Sequence, residues 1–578
     1  MSQANDDAAT AHPEQGQDVY LRSWRLAVVI TSLCFGILLL GLDMNIIGVA
    51  IPRITTDFRS LSDIAWYGSA YLLTITAFQP LFGNLYKFFN AKTVYLISLL
   101  LFEAISDQNQ ISPVGSVICA AAPYSAILIF GRAFLGFGAA GLLQGALAII
   151  GLSVQLDKIP LYQGIVVSSL GISVCLGPIL GGVLTDHASW RWCFWINVPV
   201  GVCVIAVVFF FVHIGQSSNK ANRELDLRKK LNHMDGLGTT LFLGAVCCLL
   251  LVLQMGGQKW AWRDSRCIGL FVGFAVLTGC FALWQWRRGD LAIIPFRILR
   301  KRSIGMGALV LFSLGMSSQT YAYYLPIFFQ SAQGVSTTES GVRFIALVLP
   351  QIVGLVIVGA IVTRWGYYVP YMVAGVIVTS IGAGFLTTID ITTPTPVWAT
   401  FMVINGLGIG MAQQLPYTAL QAVLDLRPED VATGNAIAVF SYQLGGCGHR
   451  PEPAPRQARD RGPVPHRRRV AAASHLHRRD GPGPDRALAE VLRDLRAAYA
   501  EAVRDPLILA LAAACLAFPF AAAMERLNIK KISEERTRRL EESKTSARAG
   551  SEEMKDGGTL MVVGSRASAD GRLVKSQA

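Results

Sequence analysis

The sequence predicts an all-α, polytopic membrane protein, and three observations carry the prediction. Of the 578 residues, 52% are hydrophobic and only 15% charged, and the mean hydropathy is +0.45; soluble domains carry about 25% charged residues. Apolar stretches of roughly 20 residues, enough to cross a bilayer core of about 30 Å, recur along the whole chain. One of them holds the run GISVCLGPILGG at 171–182. There Pro178 removes a mid-helix hydrogen bond, and Gly177, Gly181 and Gly182 strip one face so that another helix comes close. Such a helix is costly in water and tolerated in a membrane, where its neighbours satisfy the freed backbone groups.

Fourteen spans are expected, near 26–50, 64–86, 93–122 (interrupted), 125–150, 161–185, 192–213, 236–255, 267–286, 304–328, 341–363, 368–389, 396–424, 431–446 (short) and 506–525. They divide the chain into a disordered cytoplasmic N-terminus at 1–23, a first six-span bundle at 24–213 and a loop at 214–235. Two extra spans at 236–290, a second bundle at 291–526 and a cytoplasmic tail at 527–578 complete it. The first 23 residues lack an apolar h-region, so a retained anchor is expected rather than a cleaved signal. Lys87, Lys92, Arg223, Arg228, Arg287, Arg288, Arg297, Lys301 and Arg364 fall in alternate loops, which places both termini in the cytoplasm by the positive-inside rule. Arg59, Arg263 and Arg266 fall outside and vote the other way.

The same placement removes nucleic acid as the reason for the net charge of +13. The eleven cysteines lie in or beside apolar segments without a C-x-x-C pair. They read as small hydrophobes, with no metal site expected.

Two charges sit where hydrocarbon is expected. Asp43, in LDMNIIGVAIP at 42–52, stands near the expected end of the first span, where an ionised carboxylate is expensive and usually functional. The plain alternative is an interfacial Asp in contact with water. Arg132, about eight residues into the fourth span, is too deep to reach water easily and must pair or face a cavity. Its plain alternative is to pin two helices through their carbonyls. Gly136 to Gly141 spell G-x-G-x-x-G, but the dinucleotide fingerprint needs a preceding strand and a later acid. Inside one apolar helix, Gly136 and Gly138 are packing positions. No G-x-x-x-x-G-K-[ST] is present, so nothing cradles a nucleotide phosphate. Trp190, Trp192 and Trp195 form part of an aromatic belt, with Arg191 and Asn197 placed to tie the outer ends of two helices.

The combination resembles the major facilitator superfamily, and within it the fourteen-helix drug:proton antiporters of fungi that export toxins. RAFLGFGAA at 132–140 is similar to the family's helix-four motif. The run ending GPILGG is similar to its antiporter motif, with Gly171 standing six positions before Gly177. LDMNIIGVAIP and WRWCFWINVPVG resemble its first helix and its helix-five/six junction, and 323–343 and 406–424 resemble its second half. The resemblance covers about 24–446 and 497–535. It implies two six-helix bundles with two extra central helices. It also implies export of a small hydrophobic or amphipathic molecule by alternating access, driven by a proton gradient with no cofactor. A monomer in the plasma membrane is expected, with a vacuolar or vesicular membrane as the alternative. By position Asp43 and Arg132 would serve proton coupling, and Gly177, Pro178, Gly181 and Gly182 the rocking interface. The family's loop after helix two usually reads G-x-L-a-D-r-x-G-r-k. Here GNLYKFFNAK at 83–92 keeps Gly83 and Lys92 but puts Lys87 at the Asp position, so Lys87 and Lys92 read first as positive-inside anchors.

Two stretches break the pattern. AISDQNQISPV at 104–114 interrupts the third span, and removing it would join VYLISLLLFE to GSVICAAAPYS; a retained intron is the reading. The thirteenth span ends at 446, followed through 447–484 by a Pro/Arg/His-rich block that reads as a frame shift. The competing functions are a siderophore transporter of the same fold, a non-transporting membrane sensor, and the defective product of a damaged gene. No acid/base constellation suggests an enzyme.

Overall fold

The computed structural model describes residues 24–60, 63–103, 115–212, 230, 234–257, 260–424, 430–447, 484–539, 541, 542 and 545. The expectations for 1–23, 104–114, most of 214–235, 448–483 and the end of the tail lie outside the described residues. Among the described residues the chain is helical, with only isolated bridges between extended residues.

The first bundle contains α1 (Trp24–Phe58), α2 (Ile64–Ala77), α3 (Gln79–Phe88), α4 (Ala91–Glu103), α5 (Gly115–Ala121), α6 (Ser125–Ser153), α7 (Ile159–His187), α8 (Trp192–Trp195) and α9 (Asn197–Phe211). At 35 residues, α1 is about 52 Å long at 1.5 Å per residue. It does not stop near 50 as expected but runs past Pro52, so Asp43 lies in mid-helix rather than near an end. The second span is α2 and α3 together: Pro80 in the first turn of α3 cannot donate to the preceding turn, which breaks the helix at Phe78.

The third span is two half-helices set head to tail. The Ser116 hydroxyl at the start of α5 donates to the Phe102 carbonyl at the end of α4, 2.9 Å away. Their 13 and 7 residues together make about 30 Å of helix, one bilayer core. The flanks of 104–114 therefore meet as one interrupted span.

The second bundle contains α13 (Arg302–Ile327, continued as a π-turn through Phe328–Ala332), α14 (Thr337–Trp365), α15 (Val369–Leu386), α16 (Thr395–Gln413), α17 (Leu415–Val423), α18 (Val431–Gly446) and α19 (Pro484–Ala522). It is preceded by the extra pair α10 (Gly236–Met255) and α11 (Ser265–Arg288) and by the short α12 (Phe296–Leu299). The last span starts earlier than expected, because the helix that carries it begins at Pro484.

Ten helices among the described residues are each long and apolar enough to cross a membrane. The other four spans fail that test for local reasons. The second and third are broken, α18 is short at 16 residues, and the outer half of α13 reads SSQTYAYYLP.

The two bundles repeat one packing scheme. In the first, α1 packs on α7 and α9, α6 on α2 and α4, and α4 on α9; in the second, α13 packs on α18 and α19, α16 on α14 and α15, and α15 on α19. The contacts between bundles are also symmetry mates: α7 against α14, and α3 against α18. These are the pairings of a pseudo-two-fold. The extra pair closes over the second seam, where the Phe242 ring of α10 lies 5.1 Å from that of Phe440 of α18, tilted by 60°. Its inner end is tied by the buried Asp235, which accepts from Trp284 Nε1 at 2.7 Å and Gln285 Nε2 at 3.1 Å.

Candidate functional site

Asp43 on α1 and Arg132 on α6 meet in the first bundle. Arg132 Nη1 donates to Asp43 Oδ2 at 2.5 Å and to the Asp43 carbonyl at 3.3 Å, while Nε donates to the Tyr67 carbonyl at 2.9 Å. The guanidinium also lies over the Tyr71 ring, 4.6 Å from its centroid. Both side chains are at most 1% exposed, so the partnership is what makes either charge tolerable at this depth. Both readings of Arg132 apply at once, because it pairs with an acid and also pins a backbone carbonyl. Asp43 Oδ1 makes no hydrogen bond among the described residues.

Small residues let the helices reach this geometry. A Cβ on Gly138 would stand 2.9 Å from the Phe102 amide nitrogen of α4, and one on Gly136 would press on the Tyr71 carbonyl of α2. The run on α7 does not present one face, as the sequence reading had it. Gly177 and Gly181 face α1, where added Cβ atoms would come 2.7 Å from Asn45 Cβ and 2.9 Å from Ile46 Cγ1. Gly171 faces α14 of the other bundle, 3.0 Å from Ile352 by the same measure, and Gly182 meets nothing within 4 Å. Sequence reasoning missed Gly164, which abuts the Leu355 carbonyl of α14 at 2.9 Å. Its spacing of seven from Gly171, which returns to the same helix face, was the available signal. Pro178 stands on the outer half of this seam, near Gly341 of α14.

At the inner end the bundles are joined by charge. Asp430, the residue before α18, is buried and accepts from Lys87 Nζ at 3.0 Å and from Arg297 Nη1 at 2.6 Å. Burial alone would raise the pKa of this carboxyl. The Arg297 hydrogen bonds and the Lys87 charge outweigh that and hold it below the usual carboxylate range. Lys87 is therefore more than an anchor: it ties the first bundle to the second. Lys92 stays within its own bundle, on the Phe209 carbonyl at 2.6 Å. A Cβ on Gly83 would press on Ala436 of α18 at 2.6 Å, so the glycine sets the close approach beside the ion pair. Gln144 donates to the Ala432 carbonyl at 2.6 Å, and Gln414 to Gln163 at 2.9 Å. Asp430 and Arg297 were missed as partners because each reads as an ordinary loop charge. At the outer end Arg191 bonds Asp57 and the Ala122 carbonyl, as its position suggested. The Asn197 amide finds no partner among the described residues.

Between the bundles lies a cavity of about 250 Å³ whose walls include Asn45, Tyr71 and Arg132 from the first bundle and Gln319, Gln351 and Tyr442 from the second. The polar outer half of α13, which weakened its membrane signal, thus supplies cavity wall. The cavity is slightly smaller than the roughly 300–1,000 Å³ of drug-sized ligand sites. The Gln163–Gln414 contact and the Asp430 cluster join the two bundles at one end of the seam.

A family model described as Major Facilitator Superfamily matches residues 33–448, ending where the Pro/Arg/His-rich block begins. The MFS-type efflux pump MFS1 of Arthroderma benhamiae is 46% identical over 424 residues, 73% of this chain and 76% of its own length. The aspyridones efflux protein of Neocamarosporium betae is 42% identical over 423 residues, 73% of this chain and 72% of its own. The efflux pump roqT of Penicillium rubens is 41% identical over 426 residues, 74% and 76% of the two chains.

Proposed function

The chain belongs to the major facilitator superfamily, and we propose that it exports small hydrophobic or amphipathic molecules in exchange for protons. The observation that carries the reading is the seam cavity with the buried Arg132 in its wall and Asp43 behind it. Three relatives are named as efflux proteins, which supports the outward direction. The chain is a transporter rather than an enzyme, works as a monomer in the plasma membrane, and uses the proton gradient in place of a cofactor.

In this conformation the inner route is latched. Loading from the cytoplasm requires Asp430 to release Lys87 and Arg297 while the bundles rock on the α7–α14 seam. Midplane binding between repeats with rigid-body rocking is the usual geometry for such folds. A proton on Asp43 removes the charge that holds Arg132, freeing the guanidinium toward the cavity. Proton binding shifts the equilibrium only by its differential affinity for the two orientations, and this pair supplies that difference. One proton moving down a gradient of one pH unit provides about 1.4 kcal/mol, enough for a tenfold substrate gradient.

The test is dye flux in liposomes that carry the purified full chain under an imposed pH gradient, with coumarin 6 as a neutral probe and rhodamine 6G as a cationic one. Protein-dependent accumulation that a protonophore collapses is expected for at least one dye. Flux that ignores the protonophore, or no flux of either dye by folded protein, contradicts the proposal.

A further inference from the structure

We propose that Glu103 is a second proton-binding acid of the transport cycle, seated in a notch that Gly201 leaves on α9. The inference rests on the proton-driven export proposed above. Glu103 closes α4, is 1% exposed, and neither of its carboxyl oxygens has a hydrogen-bond partner among the described residues. A Cβ on Gly201 would come 2.7 Å from Glu103 Oε1, so the carboxyl lies flat against bare α9 backbone. Its neighbour Phe102 packs on Gly138, six residues or about 9 Å along α6 from Arg132.

Among the described residues no counter-charge bonds it. The titratable and charged side chains on the helices around it are Arg132 on α6, Cys119 on α5, Cys193 on α8, Cys203 on α9, and Arg25, Cys34, Asp43, Arg53 and Asp57 on α1, with Tyr95 and Lys92 on its own helix. The four cations are placed elsewhere: Arg132 bonds Asp43 and Tyr67, Lys92 bonds the Phe209 carbonyl at the inner end of α4, Arg53 pairs with Asp186, and Arg25 is exposed in the first turn of α1 over Trp24. An unpaired carboxylate in such a place costs several kcal/mol, so Glu103 is neutral in this conformation and holds a proton. A leucine would fill the same space without that penalty, and intramembrane acids that bear it are by default functional. The step is a plain exchange: the carboxyl O–H bond breaks, the proton leaves to water on one side, and the carboxylate recovers a proton from the other side. With Asp43, the cycle then moves two protons.

The pH-gradient liposomes measure this directly, with the membrane potential clamped at zero and coumarin 6 as the probe. Two protons sustain about a hundredfold dye gradient per pH unit, and one proton about tenfold. Glu103→Gln, which mimics the protonated acid, is expected to lower the limit from the first value to the second, and Glu103→Asp to keep the first. Full accumulation in Glu103→Gln overturns the proposal. A second readout needs no transport: the infrared difference between wild type and Glu103→Gln at neutral pH. A protonated-carboxyl band assigned to Glu103 is expected, and ionised-carboxylate bands in its place overturn the proposal. If the wild type builds no proton-driven gradient, the export reading fails by itself while the infrared measurement still decides the state of Glu103.

Discussion

The Arg132 guanidinium bonds one carboxylate and two carbonyls through Nε and Nη1 and lies over an aromatic face, and among the described residues no second acid bonds it. Breaking a buried pair from one side costs about 3–5 kcal/mol, because the other charge is left uncompensated. Asp43→Asn and Arg132→Gln are each expected to lower the limiting proton-driven accumulation by at least about tenfold per pH unit while leaving downhill dye exchange. Unchanged uphill transport in both variants removes the pair from the coupling step. These two residues were legible in the sequence because a charge inside an apolar run has few explanations. Glu103 was equally visible in LFEAIS, but it stood at the edge of the interruption and looked like the end of a span. Only its burial against Gly201 reveals it as an interior acid. Asp430 in RPEDVATG had no local signal, since its meaning comes from Lys87 in another bundle.

Among the elements, α7 carries the sharpest test of packing. Gly177→Val forces a side chain into Asn45 and is expected to cost about 1–3 kcal/mol, the usual penalty of overpacking. Gly182→Ala enters open space and is expected to stay within about 0.5 kcal/mol. Thermal unfolding of the two variants in detergent checks the contrast, and equal losses would mean that the run acts as one face after all. The periodicity made α7 a close-packing helix. It did not reveal that Gly171 and Gly177 serve different partners, because spacing states which residues share a face and not what lies opposite. The length of α1 was likewise hidden: after Pro52 the sequence turns polar, while the helix continues beyond the bilayer core with its Thr55 and Thr56 hydroxyls bonded to the turn before. The spans themselves were readable throughout, since hydrocarbon permits little else than helix.

At the scale of the whole molecule, two bundles with matching internal pairings meet along two seams, and the inner end is latched at Asp430. Lys87 and Arg297 are 13% and 30% exposed, so water screens each bond and each contributes about 1 kcal/mol or less. That is enough to bias an equilibrium and too little to lock it. Because the Asp430 pKa is depressed, its contribution is present above the unfolded carboxylate value near 3.9 and is lost only as pH falls through the still lower folded value. The latch is therefore constant around neutral pH, and any pH response there belongs to the buried acids. Asp430→Asn is expected to open the inner end more often without moving the pH profile of transport.

The most direct measurement is the distance between spin labels at Thr93→Cys and Arg300→Cys, on the inner ends of the two bundles in an otherwise cysteine-free full chain. Two distances are expected, with a ratio that moves as the pH is lowered from neutral and moves less in Asp43→Asn. In Asp430→Asn the longer distance gains population at every pH. A single distance that ignores pH and both substitutions would contradict alternating access governed by a buried acid and an inner latch.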